Sequence, residues 1–202
     1  MEGRPHGESR YPAPGPRETR GRGIERERMD HLKQLIRTIP HFPKPGVMFR
    51  DLTTLFLDAA GFRATLQALA AHYRGQPIDT VVGIESRGFI LGAPLALELG
   101  TGFVPMRKPG KLPGEKIGIE YALEYGTDRL EVHTNALPHG SRVLMVDDLL
   151  ATGGTMRAGC NLVEQVGCTV AGLAFVVELV DLKGRDRLRE YPILSLITFE
   201  GE

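Results

Sequence analysis

Between residues 143 and 155 the chain reads Val-Leu-Met-Val-Asp147-Asp148-Leu-Leu-Ala151-Thr152-Gly153-Gly154-Thr155, and this segment restricts the fold more than any bulk property does. Residues 142–146 form a short, continuous apolar run, as expected of a parallel strand covered on both faces. Two carboxylates follow, then a turn of small residues, then a helix from about Gly154 to Val166. A buried strand that opens into a helix through glycines is one βα unit of an open α/β sheet, where ligands bind beyond the carboxyl ends of the strands. Gly153 and Gly154 let the backbone curl so that its N–H groups converge. Thr152 and Thr155 add hydroxyl donors, and the helix N-terminus lies behind them, so the turn is a phosphate cradle. It is not a Walker A loop, because the G-x-x-x-x-G-K-[ST] spacing and its lysine are missing. Adjacent carboxylates suit a ligand with hydroxyls near its phosphate: Asp147 and Asp148 can accept hydrogen bonds from a ribose diol while the turn holds the 5′-phosphate.

The rest of the chain supplies partners for this unit. Asp58 is placed to cap a helix whose apolar residues Phe62, Leu66, Leu69 and Tyr73 recur at helical spacing, with Pro77 ending it. Residues 80–84 read as a buried strand, followed by a helix through Phe89, Leu91, Leu95 and Leu97 to Gly100, and a strand at 103–106. Residues 108–120 carry glycines, prolines and charges without a helical or strand period and are expected to be a long loop, which in a small domain is usually functional. A hairpin through 123–125 and 130–132 and a strand at 170–177 complete the pattern. The alternation predicts an α/β fold: a central, mostly parallel sheet flanked by helices.

Composition closes off other classes. Twenty-five basic and 25 acidic residues give zero formal net charge, which removes a whole-chain electrostatic case for nucleic acid or anionic membrane. No apolar stretch approaches the roughly 18 residues of a membrane span, and the N-terminus lacks the apolar core of an export signal. The two cysteines, Cys160 and Cys168, fit a reducing, cytoplasmic setting. The six histidines are scattered without metal-ligand spacing, so no protein ligand to a metal is assigned. Residues 1–28 hold seven arginines, five glutamates, five glycines and four prolines. They are expected to be a disordered extension, since such a composition cannot bury enough surface to offset its ordering entropy. The folded domain is expected over 29–202. Lys183–Gly184–Arg185–Asp186–Arg187 reads as a solvated turn and short helix without a chemical role.

The 143–155 segment resembles the phosphoribosyl pyrophosphate (PRPP) motif of the type I phosphoribosyltransferases, and the resemblance extends over nearly the whole chain from Met29. It implies that family's fold, with a small base-binding hood and a mobile catalytic loop. The run from His41 to Thr53, His-Phe-Pro-Lys-Pro-Gly-Val-Met48-Phe49-Arg50-Asp-Leu-Thr, is stiff and irregular by its own chemistry. It is similar to the hood of the adenine-specific branch. By that resemblance Phe49 stacks on adenine, backbone groups of Met48 and Arg50 read its edge, and Leu179 packs on its other face.

Glu85–Ser86–Arg87–Gly88 follows a strand and opens a helix, where N–H groups and the Arg87 guanidinium make a second anion site. The segment resembles the family's pyrophosphate loop, in which a cis peptide is expected. Residues 107–116 resemble its catalytic lid, which assigns pyrophosphate contacts to Arg107 and Lys111, with Lys108 a weaker choice. Tyr121–Ala122–Leu123–Glu124–Tyr125–Gly126 resembles the segment bearing a catalytic glutamate, which would be Glu124, with Tyr125 a neighbour. The implied reaction joins adenine to PRPP, giving AMP and pyrophosphate in purine salvage. Magnesium rides in on the substrate, and a homodimer is implied. The rivals are a phosphoribosyltransferase for another purine base and a regulator that only senses PRPP. The latter needs a DNA-reading domain, which residues 1–28 are too short to supply.

Overall fold

The computed structural model describes residues 29–122 and 126–201. The expected disorder of 1–28 and the first arm of the expected hairpin, 123–125, lie outside the described residues. The elements run β1 (Arg37–Pro40), β2 (Met48–Asp51), α1 (Thr53–Leu57), α2 (Ala59–Tyr73), β3 (Thr80–Ile84), α3 (Arg87–Leu99), β4 (Gly102–Met106), β5 (Lys116–Ala122) and β6 (Thr127–His133). They continue with β7 (Arg142–Leu150), α4 (Gly154–Gln165), β8 (Thr169–Leu179), two 3₁₀ turns (Val180–Leu182 and Gly184–Arg187) and β9 (Ile193–Phe199). Residues 29–34 are helical as well.

Five strands form one sheet in the order β4-β3-β7-β8-β9, and every pairing in it is parallel. β3 and β7 are central and carry the apolar runs expected of strands buried on both faces. Alternate residues feed two cores. Val81, Leu144 and Val146 pack with Leu69, Tyr73, Leu91 and Leu95 of α2 and α3. Val82, Val143 and Met145 pack on the other face with Cys160, Leu162 and Val163 of α4. Helices therefore cover both faces, as the βα alternation predicts. The Tyr73 hydroxyl, buried under α2, donates to the carbonyl of Leu173 at 3.0 Å.

Local signals act as their chemistry dictates. Asp58 caps α2 by accepting from the Gly61 N–H at 2.6 Å, and α3 ends at Gly100 in the left-handed conformation. α2 stops at Tyr73, ahead of Pro77. Three expectations need correction. The loop expected over 108–120 ends at Glu115, because β5 begins at Lys116 and pairs antiparallel with β6. Ile117, Ile119 and Tyr121 alternate onto the core beside α4, a period-2 signal hidden by the glycine and charges between them. β7 runs on through Asp147 and Asp148 to Leu150, so the two acids sit inside the strand rather than just past it. Residues 48–51, read as part of an irregular segment, are a strand paired with β1. β9 has no counterpart in the sequence reading. No helix among the described residues is long and apolar enough to cross a membrane.

Candidate active site

The carboxyl ends of β3 and β7 open onto a cavity of about 360 Å³ lined by residues 85–87, Lys108, residues 147–156 and Phe175. The cavity thus joins two βα turns, each feeding a helix N-terminus toward the same space. Gly153 occupies the N-cap of α4 with φ 78°, a left-handed backbone that lets the turn double back and aim its N–H groups inward. Ser86 holds the same position on α3, and the Glu85–Ser86 peptide is cis, as the resemblance implies. The sequence-predicted residues Ser86, Arg87, Asp147, Asp148, Ala151, Thr152, Gly153, Gly154 and Thr155 all line this one cavity.

Its electrostatics are polarised. Asp148 is 2% exposed, and burial raises its carboxyl above the usual range, with the Arg87 charge acting in the opposite sense. Asp147 is raised further, first by burial of its carboxyl and then by the charge of Asp148, although the residue as a whole keeps partial contact with solvent. Its Oδ1 accepts from the Asp148 N–H at 2.9 Å. Arg87 Nε lies 2.9 Å from Asp148 Oδ2, but off the line of an N–H, and that buried oxygen has no hydrogen-bond donor. Two neighbouring acids on the cavity wall, one oxygen of which meets only the Arg87 charge, can accept from a donor such as a sugar hydroxyl.

The lid residues divide. Arg107 donates from Nε to Glu85 Oε2 at 3.0 Å, and the Lys108 N–H donates to the same oxygen at 2.8 Å. The Arg107 hydrogen bond holds the Glu85 carboxyl below its ordinary value. Lys108 lines the cavity, yet its ammonium is engaged by Asp128 and by Tyr121 Oη. Burial works against that charge, and the two oxygens more than offset it, so its pKa is raised. Arg107 and Lys111 lie outside the cavity wall: of the three assigned lid cations, the weaker choice is the one inside. Glu124 and Tyr125 lie outside the described residues.

The hood sits beside the cavity rather than in its wall. Phe49 meets Phe42 edge to face at 5.2 Å, and the Arg87 guanidinium carbon lies 5.9 Å from the Phe49 ring centre. Arg87 therefore stands between the hood and the two acids. Arg50 donates to Thr38 Oγ1 at 2.7 Å and lies over Phe199, 4.2 Å from the ring centre. Leu179 closes β8, pairs with Phe199 and belongs to the core under the hood. Asp51 anchors the hood by accepting from Thr53 and Arg37.

Sequence reasoning missed Glu85 and Asp51 as anchors, and Glu178, which is paired with Arg185. An acid inside the apolar run of β8 was the available signal for Glu178; nothing local marks the bond between Glu85 and Arg107. Among the described residues no group of three or more His, Cys, Asp or Glu could hold a metal. Glu85, Asp147 and Asp148 are the carboxylates that line the cavity, a donor set suited to a hard cation that keeps most of its own oxygen ligands.

Similarity to known proteins agrees with this geometry. The profile of the phosphoribosyl transferase domain matches residues 57–199. An adenine phosphoribosyltransferase from Chloroflexus aurantiacus is 58% identical over 168 residues, covering 83% of this chain and 97% of the relative. The crystal structure of adenine phosphoribosyltransferase from Thermoanaerobacter pseudethanolicus superposes with TM-score 0.82 at 50% identity, covering 85% of this chain and 99% of that one. The Saccharomyces cerevisiae enzyme, complexed with an imino-altritol bisphosphate and adenine, gives 0.81 at 42% identity, covering 85% and 99%. On its sequence, its parallel sheet and its shared cavity, the chain belongs to the phosphoribosyltransferase family, among the adenine phosphoribosyltransferases.

Proposed function

We propose that this chain transfers the phosphoribosyl group of PRPP to adenine, forming AMP and pyrophosphate, with the cavity at the ends of β3 and β7 as the site. The observation that carries the reading is one wall that joins a glycine turn at a helix N-terminus, two buried acids and Arg87. A relative at 42% identity binds adenine together with a bisphosphate, which supports adenine as the base.

In this reading residues 151–155 hold the 5′-phosphate through N–H and hydroxyl donors. Asp147 and Asp148 take the ribose diol, whose hydroxyls supply the donor that Asp148 Oδ2 lacks. N9 of adenine attacks C1′ as the bond to pyrophosphate breaks, so positive charge grows on the sugar ring and negative charge on the leaving group. The paired acids oppose the first and Arg87 the second. Ser86 and Arg87 receive the pyrophosphate, and Arg107, Lys108 and Lys111 join them when the lid closes. Lid closure requires Arg107 to leave Glu85 and Lys108 to leave Asp128. Magnesium carried by PRPP would supply further charge neutralisation on the pyrophosphate, with Asp147 and Asp148 the acids available on the same wall. Glu124 manages the proton on adenine. Phe49 and Leu179 hold the base, with Met48 and Arg50 reading its edge.

A cytoplasmic homodimer goes with this reading. Leu57 and Leu97, 85% and 82% exposed, are apolar side chains available to such a contact, and sedimentation checks it. The deciding experiment measures AMP formation from adenine and PRPP with magnesium, beside hypoxanthine, guanine and xanthine. Turnover confined to adenine is expected. Turnover of another base instead overturns the hood reading, and tight PRPP binding without turnover of any base leaves a sensor.

A further inference from the structure

The turn at 183–187, a solvated surface turn by sequence, forms the back wall of the phosphate turn. Lys183, left-handed at φ 51°, joins the two 3₁₀ turns and delivers Gly184 into the interior. A Cβ on Gly184 would lie 2.2 Å from the Ala151 carbonyl oxygen, and one on Gly153 would lie 2.6 Å from the Gly184 carbonyl oxygen. Backbone therefore meets backbone at both glycines, with the Leu150 side chain packed against Gly184 as well.

Arg185 holds the turn there. Its Nε donates to Glu178 Oε1 and its Nη2 to Oε2, both at 2.7 Å, the parallel fork that fixes a guanidinium in one plane. Nη2 also reaches Ser195 Oγ at 3.3 Å and Nη1 the Ile193 carbonyl at 3.4 Å, both on β9. Glu178 is 6% exposed and pairs with Leu150 of β7, one residue before the phosphate turn begins. The fork thus ties β8, β9 and the turn into a frame, and that frame abuts residues 150–153.

We propose that Arg185 and Gly184 are positioning residues for the phosphate end of the substrate: the Arg185–Glu178 fork seats Gly184 against residues 151–153 and sets the direction of their N–H donors. The inference rests on the reading of residues 151–155 as the phosphate cradle. Preorganised donors lose their effect when displaced by a fraction of an ångström. Mere packing would lower the amount of folded protein and leave each substrate's KM unchanged.

The test uses the full chain and ribose 5-phosphate as the calorimetric probe, with KM measured separately for PRPP and adenine. Arg185→Lys keeps the charge and loses the fork; Gly184→Ala inserts a methyl group against backbone. Both variants are expected to bind ribose 5-phosphate roughly 10- to 100-fold more weakly, with KM for PRPP rising in step and KM for adenine unchanged. Should Gly184→Ala fail to fold, Arg185→Lys decides alone. Unchanged ribose 5-phosphate affinity in the folded variants, or equal rises in both KM values, overturns the proposal. Thr155→Val in the same assay separates the two levels: if it weakens binding while the frame variants do not, only this inference falls. If it too has no effect, the cradle reading fails and takes the inference with it.

Discussion

At the scale of single residues, Asp148 is the most buried acid of the cavity wall. Burial raises its carboxyl, so the folded chain holds a proton there more tightly than the unfolded chain does. A raised folded pKa gives stability that is fully present below the unfolded value of about 3.9 and is lost as pH rises through the folded value. The ligand-free chain is therefore expected to lose stability as pH rises above about 4, and Asp148→Asn to weaken that pH dependence. The same variant forfeits a charge-assisted hydrogen bond to the ribose, so PRPP binds roughly 10- to 100-fold more weakly. Differential scanning calorimetry across pH with isothermal titration reads both effects; a pH dependence of the melting temperature that the variant leaves unaltered, or unchanged PRPP affinity, refutes the account. Glu124 belongs to this scale as well. Glu124→Ala is expected to lower kcat by roughly 10² to 10⁴ with little change in substrate binding, and steady-state kinetics with an unchanged kcat would remove it from the mechanism. What made these residues legible was local clustering: Asp147, Asp148, Thr152 and Thr155 fall within nine positions of chain. Glu85 carries no such signal, because its partner Arg107 lies 22 residues away and no local pattern connects them.

At the scale of elements, the hood depends on one acid. Asp51 ends β2, is 6% exposed, and is held at about 2 by hydrogen bonds from Thr53 and then from Arg37. A lowered folded pKa gives stability present above about 3.9 and lost as pH falls toward the folded value, so the hood is expected to loosen in acid. Asp51→Asn weakens charge-assisted bonds to Arg37 and Thr53, which should cost roughly 1–3 kcal/mol. Because β2 carries Met48, Phe49 and Arg50, KM for adenine should rise more than KM for PRPP; kinetics in which only the PRPP value moves would disconnect the hood from the base. Elements were readable where period or capping is local. β3 emerged with its observed boundaries as a short apolar run, and Asp58 marked the start of α2. β1 and β2 were not, because their four-residue strands exist through pairing with each other, and the prolines beside them argue for irregularity. β9 was lost for a related reason: its residues are mostly half-buried at the sheet edge, so they lack the uniform apolar character of β3 and β7.

At the scale of the whole molecule, the cavity exists because one parallel sheet brings two βα turns together, and the frame behind it closes on β9 before the chain ends. Every group assigned to the reaction, with the positioning residues Gly184 and Arg185, lies between Met48 and Arg185, and among the described residues the sheet and both its cores are built from residue 29 onward. Residues 1–28 add seven arginines against five glutamates, and their only sizeable apolar side chains are Met1, Tyr11 and Ile24. By composition alone such a segment is expected to add little to a core, and its nearly balanced charge to exert little long-range pull on an anionic substrate. A chain beginning at Met29 is therefore expected to melt within about 2 °C of the full chain and to keep its kcat/KM for both substrates within about twofold. The comparison is best made at low ionic strength, where any electrostatic help from the seven arginines is largest because screening is weakest. A large fall in kcat/KM for PRPP there, vanishing in high salt, would show that the segment gathers polyphosphate for the lid. A fall that persists in salt together with a lower melting temperature would instead make it part of the fold and move the domain boundary upstream of residue 29.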